Sequence, residues 1–538
     1  MNREKNKSAD VFRQQYDVMK ADGKEWQKTW QELARYIAPT RGFFDGNQVN
    51  DGRKIDHRTL IDSDPLLAVE ILSAGMMSGL TSPSRSWFEL GVDGPQLAKQ
   101  YAVRSWLHEV RRQMEDVFSR SNLYNTLHGF YQEISVFGTA AFLLEEDFDR
   151  VISCRSFTVG EYVLGTDEKG RINSFGREFF LTASQLKNQF GEEHLPEQIK
   201  RAAQEKRSGW FKVLHVIMPN EKADAAKLDK AHMPYVSAYF TEQGHLLQQG
   251  GYREFPVIAA RWEIKNNSDI YGRGPGWKAL GDIKMLQKMQ KTKLIALDKN
   301  TNPPMMVSSN VQGEVNLLPG GLTRYNGTTD AAVKPAYQVP VDLQALEHCI
   351  EKVKQTIRSQ FFADVFLMIS AQNFTHMTAT EVAERHQEKM LVLGPVLERL
   401  KNELLDPLIE RTFAIMFRRG VIPVPPPEIE GENMKIQYVS MIAQAQKQSG
   451  MAALQQGISF TASLAQAQPQ VLDKIDFDAA LEEGLTLLGV PPQLLRSTQD
   501  TQLLRQQRTQ QILQVATTGQ PTHPFDVKKE KEQNNTAL

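Results

Sequence analysis

The sequence has little cysteine and no long apolar run. Its two cysteines among 538 residues, Cys154 and Cys349, lie far apart and form no Cys/His pattern of metal-ligand spacing. This argues against a disulfide scaffold or a zinc site and fits a reducing cytoplasm. The longest apolar candidate, Leu66 to Leu80, is too short to span a bilayer and carries Glu70. We expect no membrane partner, no bound metal and no cofactor.

The sequence also has no excess of positive or negative charge. Lys and Arg number 63 against 64 Asp and Glu, for a formal net charge of -1. High-affinity binders of duplex DNA are usually more basic, because neutralised phosphates supply much of their affinity. The near-zero net charge does not exclude a protein through which DNA slides. Such a protein gains nothing from many strong phosphate contacts, because they would hold the DNA in place. Any surface that faces DNA must therefore be local.

Signatures of nucleotide and hydrolytic chemistry are also absent. No GxxxxGK[ST], HExxH or GxSxG string occurs. The turn Gly272–Gly276 departs from the dinucleotide pattern GxGxxG, and it predicts a hinge at the start of a helix. The acidic residues of Glu145–Asp149 fall between two apolar runs, which favours a solvated hairpin turn over a divalent-cation site. We expect no catalytic residues.

Apolar spacing and turn residues indicate an α+β chain. Trp26, Trp30, Leu33 and Ile37 recur at helical spacing, which places them on one face of an N-terminal helix. After Gly138, short runs rich in Val, Ile and Phe are interrupted by acidic and glycine-containing turns, as in a β-meander. The first half is therefore predicted to be mixed α and β.

The middle of the chain predicts a helical hairpin with a small β module at its tip. A helix from about Lys278 to Lys299 stops at Asn302–Pro304, and a second begins near Asp342 with an apolar stripe. The intervening stretch is rich in Gly, Pro and Val and predicts short strands. A third helix is expected to kink at Gly394–Pro395.

Three lysines share one face of the helix that follows Trp277. Lys284, Lys288 and Lys291 stand at i, i+4 and i+7, with Ile283, Leu286, Leu294 and Leu297 available for packing. On one isolated helix, such a face is usually ordinary solvated surface. Repeated around a symmetric pore, it would form stacked rings of positive charge that face a polyanion without a base-specific grip. Both interpretations remain open at this point.

Four segments follow one another in a particular order: KIDHRTLIDSDPLLAVEILSAGMMSGLTSPSRSWFEL, SVFGTAAFLLEE, IYGRGPGWKALGDIKMLQKM and MTATEVAERHQEKMLVLGPVLERL. In this order they resemble the head-to-tail connector, or portal, proteins of T7-like podoviruses. The similarity runs from about residue 10 to residue 515. None of the segments is a catalytic signature, so the specificity lies in their order.

The resemblance implies a structural protein of the virion, assembled in the host cytoplasm, that forms a dodecameric ring at one capsid vertex. Double-stranded DNA would pass through the ring during genome packaging and ejection. The implied partners are terminase, the major capsid and scaffolding proteins, and tail adaptor proteins. Two alternatives stay open: another ring of the head-tail junction, such as a tail adaptor, and a nucleic-acid-processing enzyme. An ATPase or nuclease assay separates the enzyme from the structural classes.

The resemblance also implies a portal-type subunit with a mixed α/β wing, a two-helix stem, a small β clip, an α-helical crown and a C-terminal helical extension. Along the chain these parts are the wing 1–275, first stem helix 276–301, clip 302–341, second stem helix 342–368, tunnel loop 369–377, kinked helix with return to the wing 378–429, crown 430–500, and C-terminal helix with flexible tail 501–538. The tunnel loop carries the polar residues Gln372, Asn373, Thr375 and His376. We expect their side chains to contact the DNA backbone through weak, exchangeable hydrogen bonds.

Overall fold

The computed structural model describes residues 2–44, 60–94, 97, 100–205, 209–224, 226–227, 229–307, 311–312, 314–316, 324–325, 333–336, 342–364, 366, 393–429, 434–438, 454–465, 468–487 and 501–510. Helices and small antiparallel sheets alternate along these residues, which confirms the predicted mixture of α and β structure. The chain forms two compact units. One comprises Met1–Trp87 and Met114–Val421, and the other comprises Phe88–Gln113 and Ile422–Leu538.

The α-helices, numbered in chain order, are α1 Asn2–Tyr36, α2 Asp64–Leu80, α3 Tyr101–Arg120, α4 Leu123–Phe137, α5 Ala183–Phe190, α6 Glu197–Gln204, α7 Pro275–Thr301, α8 Leu343–Gln360, α9 Gly394–Leu400, α10 Asp406–Arg418 and α11 Phe477–Leu487. The strands are β1 Phe88–Val92, β2 Thr139–Asp147, β3 Val151–Phe157, β4 Tyr162–Thr166, β5 Ile172–Thr182, β6 Trp210–Pro219, β7 Tyr235–Thr241, β8 Leu246–Tyr252, β9 Val257–Arg261, β10 Met305–Val307, β11 Val311–Gln312, β12 Arg324–Tyr325, β13 Val333–Pro335 and β14 Met434–Tyr438. Residues 454–465 and 501–510 are also helical.

The two largest sheets lie in the first unit. One has five antiparallel strands in the order β4-β5-β6-β7-β8, and the other has three in the order β3-β2-β9. In the second sheet, β2 and β3 form a hairpin in which Asp147 lies opposite Val151. The acidic stretch therefore ends in a hairpin turn, as its sequence predicts.

Helix α1 covers the five-stranded sheet with its apolar face. Phe12 and Tyr16 are buried against Val216 and Phe240 of the sheet. Further along the same helix, Trp30, Leu33 and Ile37 are also buried, which confirms the predicted face. Burial of this stripe stabilises a long N-terminal helix that would be marginal alone.

The glycine-rich turn Gly272–Gly276 lies directly on the C-terminal end of α4. Gly138 ends α4 with φ of 82°, a left-handed conformation that glycine adopts without steric cost. A Cβ atom at Gly138 would lie 2.4 Å from the amide nitrogen of Gly274. The Gly272 amide donates to Thr139 Oγ1 at 2.8 Å, and the Trp277 indole donates to the Phe137 carbonyl at 2.8 Å. The predicted hinge is thus a close contact between two backbones.

Aromatic rings hold the same turn against α1. The ring centroids of Trp30 and Tyr271 are 4.9 Å apart, and those of Trp26 and Trp277 are 5.3 Å apart, both edge to face. The guanidinium of Arg273 lies 4.7 Å from the Trp26 ring. Edge-to-face pairs add to the burial energy of the rings, so the start of α7 is fixed from two sides.

The second unit contains the pairing of β1 with β14, in which Phe88 lies opposite Tyr438. The indole of Trp106 donates to the Pro423 carbonyl at 2.9 Å. Farther along, Arg505 forms two hydrogen bonds to the carboxylate of Asp478, at 2.6 and 2.7 Å. A bidentate pair of this kind fixes both the distance and the orientation of the two helices that it joins.

Two glycines of α7 provide a matched test of the backbone contact. A Cβ at Gly276 would lie 2.4 Å from the Val136 carbonyl oxygen, whereas a Cβ at Gly281 meets nothing within 4 Å. We expect Gly276→Ala to lower the free energy of unfolding by about 2 kcal/mol or more, because neither backbone can move aside. Gly281→Ala should raise it by about 0.5 kcal/mol through helix propensity. Chemical denaturation measures both; equal effects would contradict the contact.

Candidate nucleic-acid interface

The helices α7 and α8 form an antiparallel pair. Gln360 Nε2 donates to Asp282 Oδ2 at 2.8 Å near one end, and Lys293 pairs with Glu347 nearer the other. Between the two helices, β10 pairs with β13. The predicted hairpin and its β insert are therefore confirmed as secondary structure, while the assignment of these parts as stem and clip stays a prediction.

The apolar contact between the pair is concentrated near the start of α7. Ile283 and Leu286 of α7 and Ile350 and Ile357 of α8 are fully or almost fully buried. Leu294 and Leu297, which the sequence offers as packing positions, are 51% and 37% exposed in the single chain. Most residues of α7 from 291 to 300 are exposed.

The buried side chain of Gln287 links α7 to the segment that precedes α2. Its Oε1 accepts hydrogen bonds from the amides of Ile61, at 2.7 Å, and Asp62, at 2.9 Å. Its Nε2 donates to the Asp62 carbonyl at 2.8 Å. Gln287 is only 4% exposed. One side chain thus satisfies three backbone groups that would otherwise be costly to bury.

Two carboxylates of the same segment bind α8. Lys354 Nζ lies 2.7 Å from Asp62 Oδ2, and Arg358 makes a bidentate pair with Asp64, with Nε donating at 3.1 Å. Gln290 of α7 also donates to Asp62, at 2.6 Å. We call residues 61–64 with Gln287, Gln290, Lys354 and Arg358 the stem clamp. It holds both helices of the pair through one short segment.

The stem clamp shifts the ionisation of its own groups. Partial burial alone would raise the pKa of Asp62, but hydrogen bonds from Lys354, the Asp64 amide and Gln290 outweigh burial and lower it. The hydrogen bond to Asp64 raises the pKa of the Arg358 guanidinium. Because the folded pKa of Asp62 is depressed, its contribution to stability is complete above about pH 4 and is lost as the pH falls through that folded pKa.

The structure separates the three predicted lysines. Lys284 pairs with Glu32 of α1 at 2.9 Å, and its ammonium lies 5.7 Å from the Tyr36 ring. Lys288 and Lys291 are exposed, and neither has an ion-pair partner among the residues that the structure describes. The accessible positive charge of this face therefore belongs to Lys288 and Lys291, while Lys284 joins α7 to α1.

The predicted tunnel-loop residues Gln372, Asn373, Thr375 and His376 lie outside the described residues, and so does the stretch just before the expected kink at Gly394–Pro395. Their position relative to the lysines stays a prediction. Within the described part of the chain, no group of three or more His, Cys, Asp or Glu side chains is arranged to hold a metal ion. No helix in that part has the length and apolarity needed to cross a membrane.

The sequence at the stem clamp has the residue pattern of a helix N-terminus. Asp62–Pro65 looks like a helix cap, yet Ser63 makes no side-chain capping bond and both acids bind α8 instead. Lys354 and Arg358 are spaced i, i+4 and flank the buried stripe of α8. Two cations beside a buried face predict acidic partners, but the sequence pattern does not identify which Asp or Glu residues these are.

The chain is similar to the proteins of one known family over most of its length. The model of the family described as bacteriophage head to tail connecting protein matches residues 9–495, and the chain belongs to this family. A probable portal protein of Bordetella phage BPP-1 is 37% identical over 502 residues, which cover 92% of this chain and 90% of that protein. A portal protein of Salmonella phage epsilon15 is 37% identical over 501 residues, with the same coverage. The predicted head-to-tail connector, or portal, function is confirmed.

A solved structure of the neck of an empty GTA particle is also similar, at 10% sequence identity, covering 78% of this chain and 93% of that one. Its TM-score is 0.38.

Gln287 and Gln290 offer a local test of the stem clamp. Gln287→Leu should remove the acceptor of the Ile61 and Asp62 amides and leave the buried end of the side chain without these bonds, which should destabilise the segment by about 2 kcal/mol, or roughly thirtyfold in local opening. Hydrogen exchange of the peptide that contains residues 60–64 measures this opening. Gln290→Leu removes one side-chain bond and leaves both amides paired, so exchange should rise far less. Identical exchange in both variants would contradict the role of Gln287.

Proposed function

We propose that copies of this chain close into a dodecameric ring around a channel for double-stranded DNA, at the portal vertex of a short-tailed bacteriophage capsid. The observation that carries the proposal is family membership over residues 9–495, together with the antiparallel α7–α8 pair and its β insert. The ring would be assembled in the host cytoplasm. It would act in genome packaging and ejection, and would contact terminase, major capsid protein, scaffolding protein and tail adaptors.

The channel wall in this proposal includes the exposed face of α7. Lys288 and Lys291 are unpaired among the described residues, and they lie three residues apart on that face. One turn of α-helix rises about 5.4 Å, so a ring of such helices would carry two closely stacked circles of positive charge. Contacts of this kind attract phosphate without reading base edges, which suits a polymer that must slide.

The stem clamp supports the same proposal, because a channel wall must resist the load of moving DNA. Salt bridges join α8 to Asp62 and to Asp64 at the start of α2, and hydrogen bonds of Gln287 and Gln290 join α7 to the same segment. Their partners are partly buried, so the screening of these pairs by salt is weaker than at an exposed surface. The helices α7 and α8 would therefore move together as one rigid unit.

We assign the chain no catalytic step. The work of translocation would come from a separate terminase ATPase, and the ring would supply the conduit and the docking surface. The family description is that of a connecting protein, and the sequence lacks a phosphate-binding loop. The side chains of Gln372, Asn373, Thr375 and His376 are proposed to line the channel with exchangeable hydrogen bonds.

Ring formation is tested by negative-stain imaging of the purified chain with mass measurement of the particles. We expect annular particles of twelve copies with an axial opening. A chain that stays monomeric under every assembly condition, or closed particles without an opening, would contradict the proposal.

The role of the lysines is tested by charge removal in a packaging assay. The double variant Lys288→Gln with Lys291→Gln should form normal rings but lower the amount of DNA packaged per particle by about tenfold, because each lost contact weakens phosphate attraction. Lys288→Arg with Lys291→Arg should restore packaging, since it keeps the charge.

The matched control removes two exposed lysines from the first unit away from α7. Lys169→Gln with Lys222→Gln makes the same change in net charge, and packaging should stay within about twofold of the original. If the control lowers packaging as much as the α7 variant, net charge and not the α7 face is responsible. Unchanged packaging in the α7 variant would remove Lys288 and Lys291 from the channel wall.

A further inference from the structure

The turn between β2 and β3 exposes a phenylalanine almost completely. Phe148 is 96% exposed, the highest value among the large apolar side chains that the structure describes. A phenylalanine side chain in water contributes little to the stability of its own fold, since the free energy comes from removing apolar surface from water. Its presence at the tip of a hairpin therefore needs another explanation.

The backbone of this turn is held in one conformation. Asp147 Oδ1 accepts hydrogen bonds from the amides of Asp149, at 3.0 Å, and Arg150, at 2.7 Å. Val151, the next residue, has φ of 71°. A left-handed conformation is a real outlier for a β-branched residue and persists only where the surroundings impose it. The tip is thus rigid at the expense of local strain.

Arg419 supports the tip from the end of α10. Its guanidinium donates to the carbonyls of Asp147 and Phe148, the latter at 3.3 Å, and lies 5.3 Å from the centroid of the Phe148 ring. This contact orients the ring while leaving it in water. An aromatic side chain that is fixed before binding loses little conformational entropy when a partner covers it.

Two further arginines of α10 hold the strand that leads to the tip. Arg418 Nη2 lies 2.9 Å from Glu146 Oε1, and the buried Arg411 donates to the Leu144 carbonyl at 3.0 Å. Arg411 and Arg418 also share the carboxylate of Glu254. The hairpin is therefore attached to α10 at several successive residues, so it presents Phe148 as part of a stiff body.

We infer that Phe148 is an anchor of the contact between neighbouring copies of this chain. Rigid aromatic side chains that fill a recess in the partner dominate the energy of many interfaces. Phe148 would bury about 150–200 Å², roughly a fifth of the 800 Å² that each partner contributes to a standard interface. The remainder would come from the surfaces around it.

The charges at the tip favour a protein partner over nucleic acid. The turn carries Glu145, Glu146, Asp147 and Asp149 close to Phe148, and Arg150, Arg418 and Arg419 lie beside them. The positive charges do not exceed the negative ones, so the tip has no cationic surplus that would attract phosphate or anionic lipid. Asp149 and Arg150 are both exposed and of opposite sign. Such a pair suits the polar rim that surrounds an apolar anchor in protein interfaces.

A second copy of the chain is the partner that the proposed ring supplies, and the inference rests on that proposed function. Strand β2 runs from the glycine turn at the start of α7 to the tip, a distance of roughly 27 Å at the usual rise per residue. The tip therefore lies far from the proposed channel helix. In a closed ring each copy meets its neighbour through two different patches, so a projecting anchor on one side needs a recess on the other.

The test uses the full chain assembled into rings. With Phe148→p-benzoylphenylalanine, illumination should cross-link neighbouring subunits into a ladder of multimers, and the attached peptide should come from the same chain. Phe148→Ala should raise the concentration for half-maximal ring assembly by about tenfold or more. Phe148→Tyr, which keeps the ring, should restore assembly to within about twofold.

Trp210→Ala is the matched control. Trp210 is also an exposed aromatic residue of the same unit, at 53%, and its loss should change assembly less than about twofold. Rings that form without any cross-link from position 148, or that assemble normally with Phe148→Ala, would overturn the inference and leave the ring intact. A cross-link to a capsid or tail protein in whole particles, without one to this chain, would also overturn it. If the unaltered chain forms no ring, the proposed function itself fails.

Discussion

Two stretches of backbone approach each other more closely than side chains allow, where Gly138 ends α4 and Gly272–Gly276 leads into α7. Strand β2 begins directly after Gly138, and α7 begins at Pro275 within the glycine turn. The same contact therefore positions both the three-stranded sheet and the helix pair. Because the contact is between backbones, it fixes the direction of α7 without help from any flexible side chain. The aromatic rings of Trp26 and Tyr271 then hold the turn against α1.

Charge within the helix pair is largely neutralised inside the chain. Lys354 and Arg358 face the stem clamp carboxylates, Lys293 faces Glu347 and Lys284 faces Glu32. What remains accessible on α7 is a small cationic strip, although the chain as a whole carries almost no net charge. In the proposed channel, the exposed cations would attract phosphate weakly while the paired cations hold the helices together.

Local patterns predicted the helix pair correctly, because Pro and Gly mark chain reversals and apolar spacing marks a buried face. The same patterns could not predict the π-helical turn Lys401–Leu405 between α9 and α10. This turn carries Glu403, which accepts a hydrogen bond from the Arg261 amide at 2.8 Å and pairs with its guanidinium. One extra residue in a helical turn leaves almost no trace in composition, and its partner lies 142 residues away.

By itself the sequence determined the α+β class, the hairpin of α7 and α8, and the family to which the chain belongs. These features depend on residue periodicity and on turn chemistry, both of which are local. Only the tertiary structure decided that Lys284 is paired while Lys288 and Lys291 have no ion-pair partner among the described residues, that Asp62 and Asp64 bind α8, and that Phe148 is exposed to solvent. Each of these depends on which distant side chain comes within a few ångströms, and that proximity is set by the packing of the whole unit.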